Sequence, residues 1–246
     1  MATVELGANP PRRQRRGRYF FRGMGVFALL IAVIGFGPEV TRFAAGSFPI
    51  APILHVHAAI MALWLGAFVL QAWLGATGRI GLHRRVGAYA VAIGWLACSS
   101  MVFVEYRTNL AHPDWNLPSD LDWKLPGPFI FLTFALFLAW AVHERRRPQW
   151  HKRLMTFALF LSLDAAIQRI HLTPAAFGFW PYAAMLNLAL LVPLATYDLL
   201  TLKGRLHPAT VRGAIVLLAA ETTLFLLWGT PAWQAFALSV GNWIRS

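Results

Sequence analysis

Apolar residues run in long, nearly unbroken stretches along this chain, and polar residues collect between them. The clearest stretch, Ala58–Ala76, is interrupted by a single polar side chain, Gln71. At about 1.5 Å rise per residue, it is long enough to cross a hydrocarbon core roughly 30 Å thick. The pattern recurs and predicts an all-α fold: a polytopic membrane helix bundle of seven transmembrane helices. The expected spans are Tyr19–Gly37, Leu54–Ala76, Val86–Tyr106, Pro128–Val142, Leu154–Ile170, Tyr182–Leu202 and Val211–Thr230. Residues 1–18 read as a basic tail, 19–230 as the membrane domain, and 231–246 as a short interfacial segment. Pro193 is the one clear helix breaker well inside a span.

Composition agrees with this pattern. Hydrophobic residues make up 58% of the 246 and charged residues only 13%, against about 25% charged in soluble domains. The net charge of +12 raises the question of nucleic acid, and its distribution answers it. With the N-terminus inside, one set of ends carries Arg12, Arg13, Arg15, Arg16, Arg18, Arg22, Arg79, Arg84, Arg85, Arg145, Arg146, Arg147, Lys152, Arg153, Lys203, Arg205 and Arg212. The other holds Arg42, Arg107, Lys124, Arg169 and Arg245. Positive charge thus alternates loop by loop, as topology requires. It places the C-terminus outside and makes a nucleic-acid partner unnecessary. The expected location is a bacterial inner membrane, with the lipid bilayer as first partner. Tryptophans fall near span ends: Trp73, Trp140 and Trp150 inside, Trp115, Trp123, Trp180 and Trp228 outside. The one cysteine, Cys98, excludes an intrachain disulfide. The outer loop Arg107–Gly127, with two Trp and three Pro, reads either as a solvated loop or as a cover over the bundle's mouth.

Ionisable residues inside spans are costly and usually face the bundle interior. His57, Trp64 and Gln71 are spaced by seven and share a helix face, as do Asp164, Gln168 and His171. Counted from the outer ends, His55, His57, Glu105, Asp164, Gln168, His171, Asn187 and Glu221 all fall in the outer half. A second set, His83, His143, His151 and His207, lies among basic residues at the inner helix ends. Each of these histidines has a bland reading as an interfacial or capping residue. Asp164 has one as a partner of Arg169, and Asn187 as a helix–helix hydrogen bond.

The stretch HVH at 55–57, Trp64, Gln71 and His83-Arg84-Arg85 with Gly87, followed by HKRLM at 151–155 and Asp164 with Arg169, resembles a family of uncharacterised bacterial multi-pass proteins. That resemblance implies no activity. More loosely, histidines at both ends of a membrane bundle are similar to cytochrome b561-type proteins, which implies bis-histidine haem near each face.

Three functional expectations follow. The first is haem b for electron transfer, bound by His57 with His171 on the outer side and by His83 with His151 or His143 on the inner side. A redox partner or quinone would then be needed. The second is a zinc or iron site drawn from His55, His57, Glu105, Asp164, His171 and Glu221. The third is a cofactor-free transporter, sensor or assembly factor with a polar cavity formed by Gln71, Gln168, Asn187 and Glu221. No nucleophilic triad or phosphate loop is visible.

Overall fold

The computed structural model describes residues 12–46, 51–107, 118–170, 189 and 191–245. These form helices α1 (Arg12–Ala44), α2 (Pro52–Ala76), α3 (Ile80–Glu105), α4 (Pro118–Asp122), α5 (Pro126–His143), α6 (Pro148–Leu161), α7 (Asp164–Ile167), α8 (Leu191–Thr201), α9 (Pro208–Leu227) and α10 (Pro231–Arg245). Among the described residues there is no strand. Proline stands at the first positions of α2, α5, α6 and α9. There its fixed φ suits the first turn and its missing N–H costs nothing.

Five segments are long and apolar enough to cross a membrane: Tyr19–Ala44, Pro52–Ala76, Ile80–Glu105, Asp120–Arg146 and Pro208–Leu227. Only 17–33% of each segment's most apolar window is buried in protein. Large side chains such as Leu30, Val33, Tyr89, Leu200, Phe225 and Leu226 are more than half exposed. A bundle that presents this much apolar surface needs lipid around it. This is an integral membrane protein.

The interior is aromatic. Trp64, Phe134, Phe137, Phe157 and Leu194 are essentially inaccessible. Phe137 stacks on Phe157 at 4.8 Å, and Trp64 meets Phe134 edge-on at 5.4 Å. Close helix approaches depend on glycine. A Cβ on Gly35 would fall 2.3 Å from the carbonyl oxygen of Ala166, and one on Gly213 would fall 2.4 Å from the Phe157 ring.

Three details differ from the sequence pattern. The first helix begins at Arg12, inside the stretch expected as a basic tail, and does not stop at Gly37 but runs through Pro38 to Ala44. The region expected as one span, Leu154–Ile170, is interrupted: α6 ends at Leu161, and Ser162–Leu163 form a turn before α7. No Pro or Gly marks that break. The C-terminal segment is a full helix, and it docks on the short α4 of the long loop. There Trp233 Nε1 donates to the Leu121 carbonyl at 2.9 Å, and Gln234 and the Gly229 N–H both reach Asp122. Leu121 and Leu125 are buried, so this part of the loop packs onto the protein. Residues 108–117 lie outside the described residues.

Candidate functional site

The turns after α2, α5 and α8 meet at one end of the bundle, here termed the basic end. Arg22 of α1 lies 3.8 Å from the Trp73 ring of α2. Trp150 faces His207 at 5.8 Å and Arg212 at 5.3 Å. Lys152 lies over Phe21 at 4.5 Å.

Two of the expected histidines come together here. The rings of His83, on the first turn of α3, and His151, on the first turn of α6, lie 6.4 Å apart between centroids, with planes at 87°. Each is fixed through Nδ1. His151 Nδ1 is 2.8 Å from the Ala141 carbonyl oxygen, and His83 Nδ1 is 3.2 Å from that of Gln71. An Nδ1–H donated to a carbonyl leaves Nε2 with its lone pair free. The Gln71 amide can stand either way up against His83. With its nitrogen turned inward it donates to His83 Nδ1 at 2.7 Å and to the His83 carbonyl at 3.1 Å, and it accepts from the Gly87 N–H at 3.3 Å. With its oxygen inward, it meets the His83 carbonyl oxygen and its nitrogen meets the Gly87 N–H, so the first orientation is the one that satisfies the amide. Gln71 therefore belongs with His83, not with the outer groups. His143 makes no ring contact with either histidine among the described residues; it lines a separate surface cleft at the α5–α6 turn.

Two residues on from His151 begins a group that sequence reasoning missed. Arg153 and Asp198 form an ion pair with side chains 1% and 0% exposed. Arg153 Nε donates to Oδ1 at 3.0 Å, and Nη2 donates to the same oxygen. Nη1 goes to the carbonyl and side-chain oxygens of Gln149 at 2.9 and 3.0 Å. The other carboxylate oxygen accepts from the His207 N–H at 3.0 Å and from the Thr210 hydroxyl. His207 in turn caps α9, its Nδ1 accepting from the Ala209 N–H at 3.0 Å. Burial first, and then the positive charges of Arg153 and Lys152, push the His207 pKa below its ordinary 6.5, while Asp198 opposes them. The motif at 151–155 thereby acquires distinct roles. His151 anchors to α5, Lys152 covers aromatic rings, Arg153 binds Asp198, and Leu154 is core. The missed signal was Asp198 itself, the single carboxylate between Asp164 and Glu221, set in an apolar run.

The other half of the bundle holds the remaining candidates, and they do not all converge. His57 Nδ1 lies 2.9 Å from Ser100 Oγ, whose own proton goes to the Ala97 carbonyl at 2.7 Å. That makes His57 Nδ1 the donor. Trp64, on the same face, donates to Ser162 Oγ at 3.1 Å, next to the helix break. Asp164 bonds Gln168, its neighbour one turn on. Arg169 pairs with Glu39 of α1 at 2.9 Å rather than with Asp164. Asp164, Gln168 and Glu221 line one small cleft of about 30 Å³ with Thr133, between apolar walls that include Phe129 and Leu217. That is room for a water molecule or two. His55 is exposed beside Phe43, and Glu105 lies over Gly127 at the start of α5. Among the described residues no three His, Cys, Asp or Glu side chains gather as a metal group. His171 and Asn187 lie outside the described residues.

No protein-family model, curated protein or solved structure matches the chain.

Proposed function

We propose that this protein is a multi-pass electron-transfer protein of a bacterial inner membrane, with haem b held at the basic end by His83 and His151. The observation that carries the reading is the geometry of that pair. Two imidazoles that shared one metal would have ring centres roughly 6 Å apart, from metal–nitrogen bonds of about 2.0–2.1 Å and about 1 Å more from each nitrogen to its ring centre. The rings lie 6.4 Å apart. His151 Nδ1 lies against a backbone carbonyl, the outer-sphere arrangement that orients an imidazole to bind metal through Nε2. His83 takes the same tautomer when its Nδ1–H goes to the Gln71 carbonyl and does not accept from the Gln71 amide. Haem would supply one-electron chemistry. The chain's residues would set its ligands and, through Gln71, the tautomer of His83. The positive charge gathered at this end supports a cytoplasmic placement, and the reduced group would need a redox partner or a quinone.

The test is an absorption spectrum of haem-replete protein in mild detergent, oxidised and dithionite-reduced. A Soret band with sharp reduced α-bands, lost in His83→Ala and in His151→Ala, is the expected result. A flat spectrum, or bands that survive both substitutions, overturns the reading.

A second reading rests on the cleft of Thr133, Asp164, Gln168 and Glu221 beside an interrupted helix. Discontinuous helices with carboxyl groups are a recurrent way to build proton- or ion-coupled sites in membranes. In proteoliposomes holding a pH dye, acid-driven proton entry abolished by Glu221→Gln would favour it. Entry no faster than in empty liposomes would remove it.

A further inference from the structure

A second site lies at the same end, independent of the histidine pair. The connection between α5 and α6 is a single 3₁₀ turn, Glu144–Arg146, followed by Arg147 and then by Pro148 at the first position of α6. Around it His143, Glu144, Arg145, Arg146 and Arg147 line an open cleft of about 460 Å³. The three arginines are consecutive and exposed, yet two of them are tethered. Arg145 Nη1 donates to the Val142 carbonyl at 3.1 Å, and Arg147 lies 3.5 Å from the Glu144 carboxylate. A tethered guanidinium keeps its other donors pointing outward at a reduced entropic cost. The N-terminus of the 14-residue α6 opens onto the same turn and adds its positive dipole end.

Charge balance says what such a cleft lacks. At this end the only carboxylates among the described residues are Glu144 and Asp198. Asp198 is consumed by Arg153, and Glu144 offsets Arg147 alone. Among the described residues, Arg145 and Arg146 face open space with no carboxylate paired to them. The cleft lies where Asp120–Arg146, a segment long and apolar enough to cross a membrane, ends, which corresponds to headgroup depth. Trp140 and Trp150, rings 6.2 Å apart, flank the turn as aromatic residues do at headgroup level. Guanidinium pairs at that depth recognise phosphate esters.

We propose that the cleft at 143–147 is a binding site for the phosphodiester headgroup of an anionic membrane lipid. The recognised chemistry is a phosphate carrying negative charge; the source is the surrounding bilayer leaflet rather than a soluble phosphate. Arg145 and Arg146 are the ligands, and Arg147 with Glu144 forms the wall.

The test uses the full chain in phosphatidylcholine nanodiscs doped with phosphatidylglycerol, with retained lipid counted by native mass spectrometry. Two variants remove equal charge from the same end of the bundle: Arg145→Gln/Arg146→Gln and Arg84→Gln/Arg85→Gln. Losing two direct guanidinium–phosphate contacts is expected to weaken retention about tenfold or more in the first pair, and the second pair, which lies outside the cleft, is expected to weaken it far less. Equal loss in both would mean diffuse electrostatics and overturn the site, as would no loss in the first. Retention in phosphatidylcholine alone that inorganic phosphate displaces would overturn the lipid assignment. Should the double variant fold poorly, Arg146→Gln carries the same comparison against Arg84→Gln.

Discussion

Arg153 and Asp198 are joined across 45 residues of chain with no water contact on either side chain. Replacing Arg153 by Met keeps much of the volume and removes the charge. Asp198 is then left in a dry site with two donors, the His207 N–H and the Thr210 hydroxyl, and with no cation. Gln149 loses its bonds to Nη1 as well. Breaking one side of a buried pair typically costs about 3–5 kcal/mol, because the charge that remains is uncompensated. Asp198→Leu strands the guanidinium instead and falls in the same range. The double variant Arg153→Met/Asp198→Leu leaves neither charge behind and is expected to cost less than either single change. Equilibrium unfolding in mixed detergent micelles, followed by Trp fluorescence, measures all three. A single-variant loss below about 1 kcal/mol, the scale of an exposed pair, would refute the reasoning. So would a double variant equal to the sum of the singles, since residues in one network should couple.

Other outcomes follow from the same geometry. His207 has a lowered folded pKa, so its contribution to stability is complete above about pH 6.5. It declines as pH falls from there and is gone below the folded value, because protonation puts a charge into a partly buried site beside Arg153 and also removes the lone pair that caps α9. The thermal midpoint should therefore drop more between pH 8 and pH 5.5 in wild type than in His207→Asn, in assays run at about those two values; equal drops would refute the cap. Gly35→Ala should cost about 1–3 kcal/mol by forcing α1 away from a backbone carbonyl, whereas Gly37→Ala, with nothing within 4 Å, should be neutral in the same unfolding assay. Trp64→Phe keeps the ring in the core and loses the bond to Ser162, a loss of about 1 kcal/mol. A larger change would mean that the indole bears on the helix break itself.

The helices were legible because lipid exposure leaves a long apolar signature, and α1, α2, α3, α5 and α9 follow it. Asp164, Gln168 and Glu221, which counting from span ends puts at similar depths, line one cleft. Rotation between helices was not legible. Spacing alone allows His83 to meet His143 or His151, and only packing of α3 against α5 and α6 selects His151. The same limit hid Arg153. Among five basic residues at 145–153 it looks like one more topological charge, yet it is the one turned inward onto Asp198. The break after Leu161 was illegible for another reason. It is marked by no Pro or Gly but by Ser162, whose hydroxyl turns back to the Leu159 carbonyl at 2.7 Å, and by an aspartate that begins the next helix.

That interrupted helix also bears on how the chain is made. A break facing hydrocarbon must keep its backbone bonded, and here the Ser162 N–H reaches the Ala158 carbonyl at 3.2 Å and the Leu163 N–H that of Phe160 at 3.0 Å. The first helix packs on the segment that follows, with Gly35 seated on Ala166 and Glu39 paired to Arg169. Glu39 is synthesised 130 residues before its partner. At about 5–20 residues per second that is a wait of roughly 7 to 26 s. The first helix must stay near the insertion site through that interval, so a mutation that lets it drift away would act on biogenesis and yield, even if the finished molecule were sound.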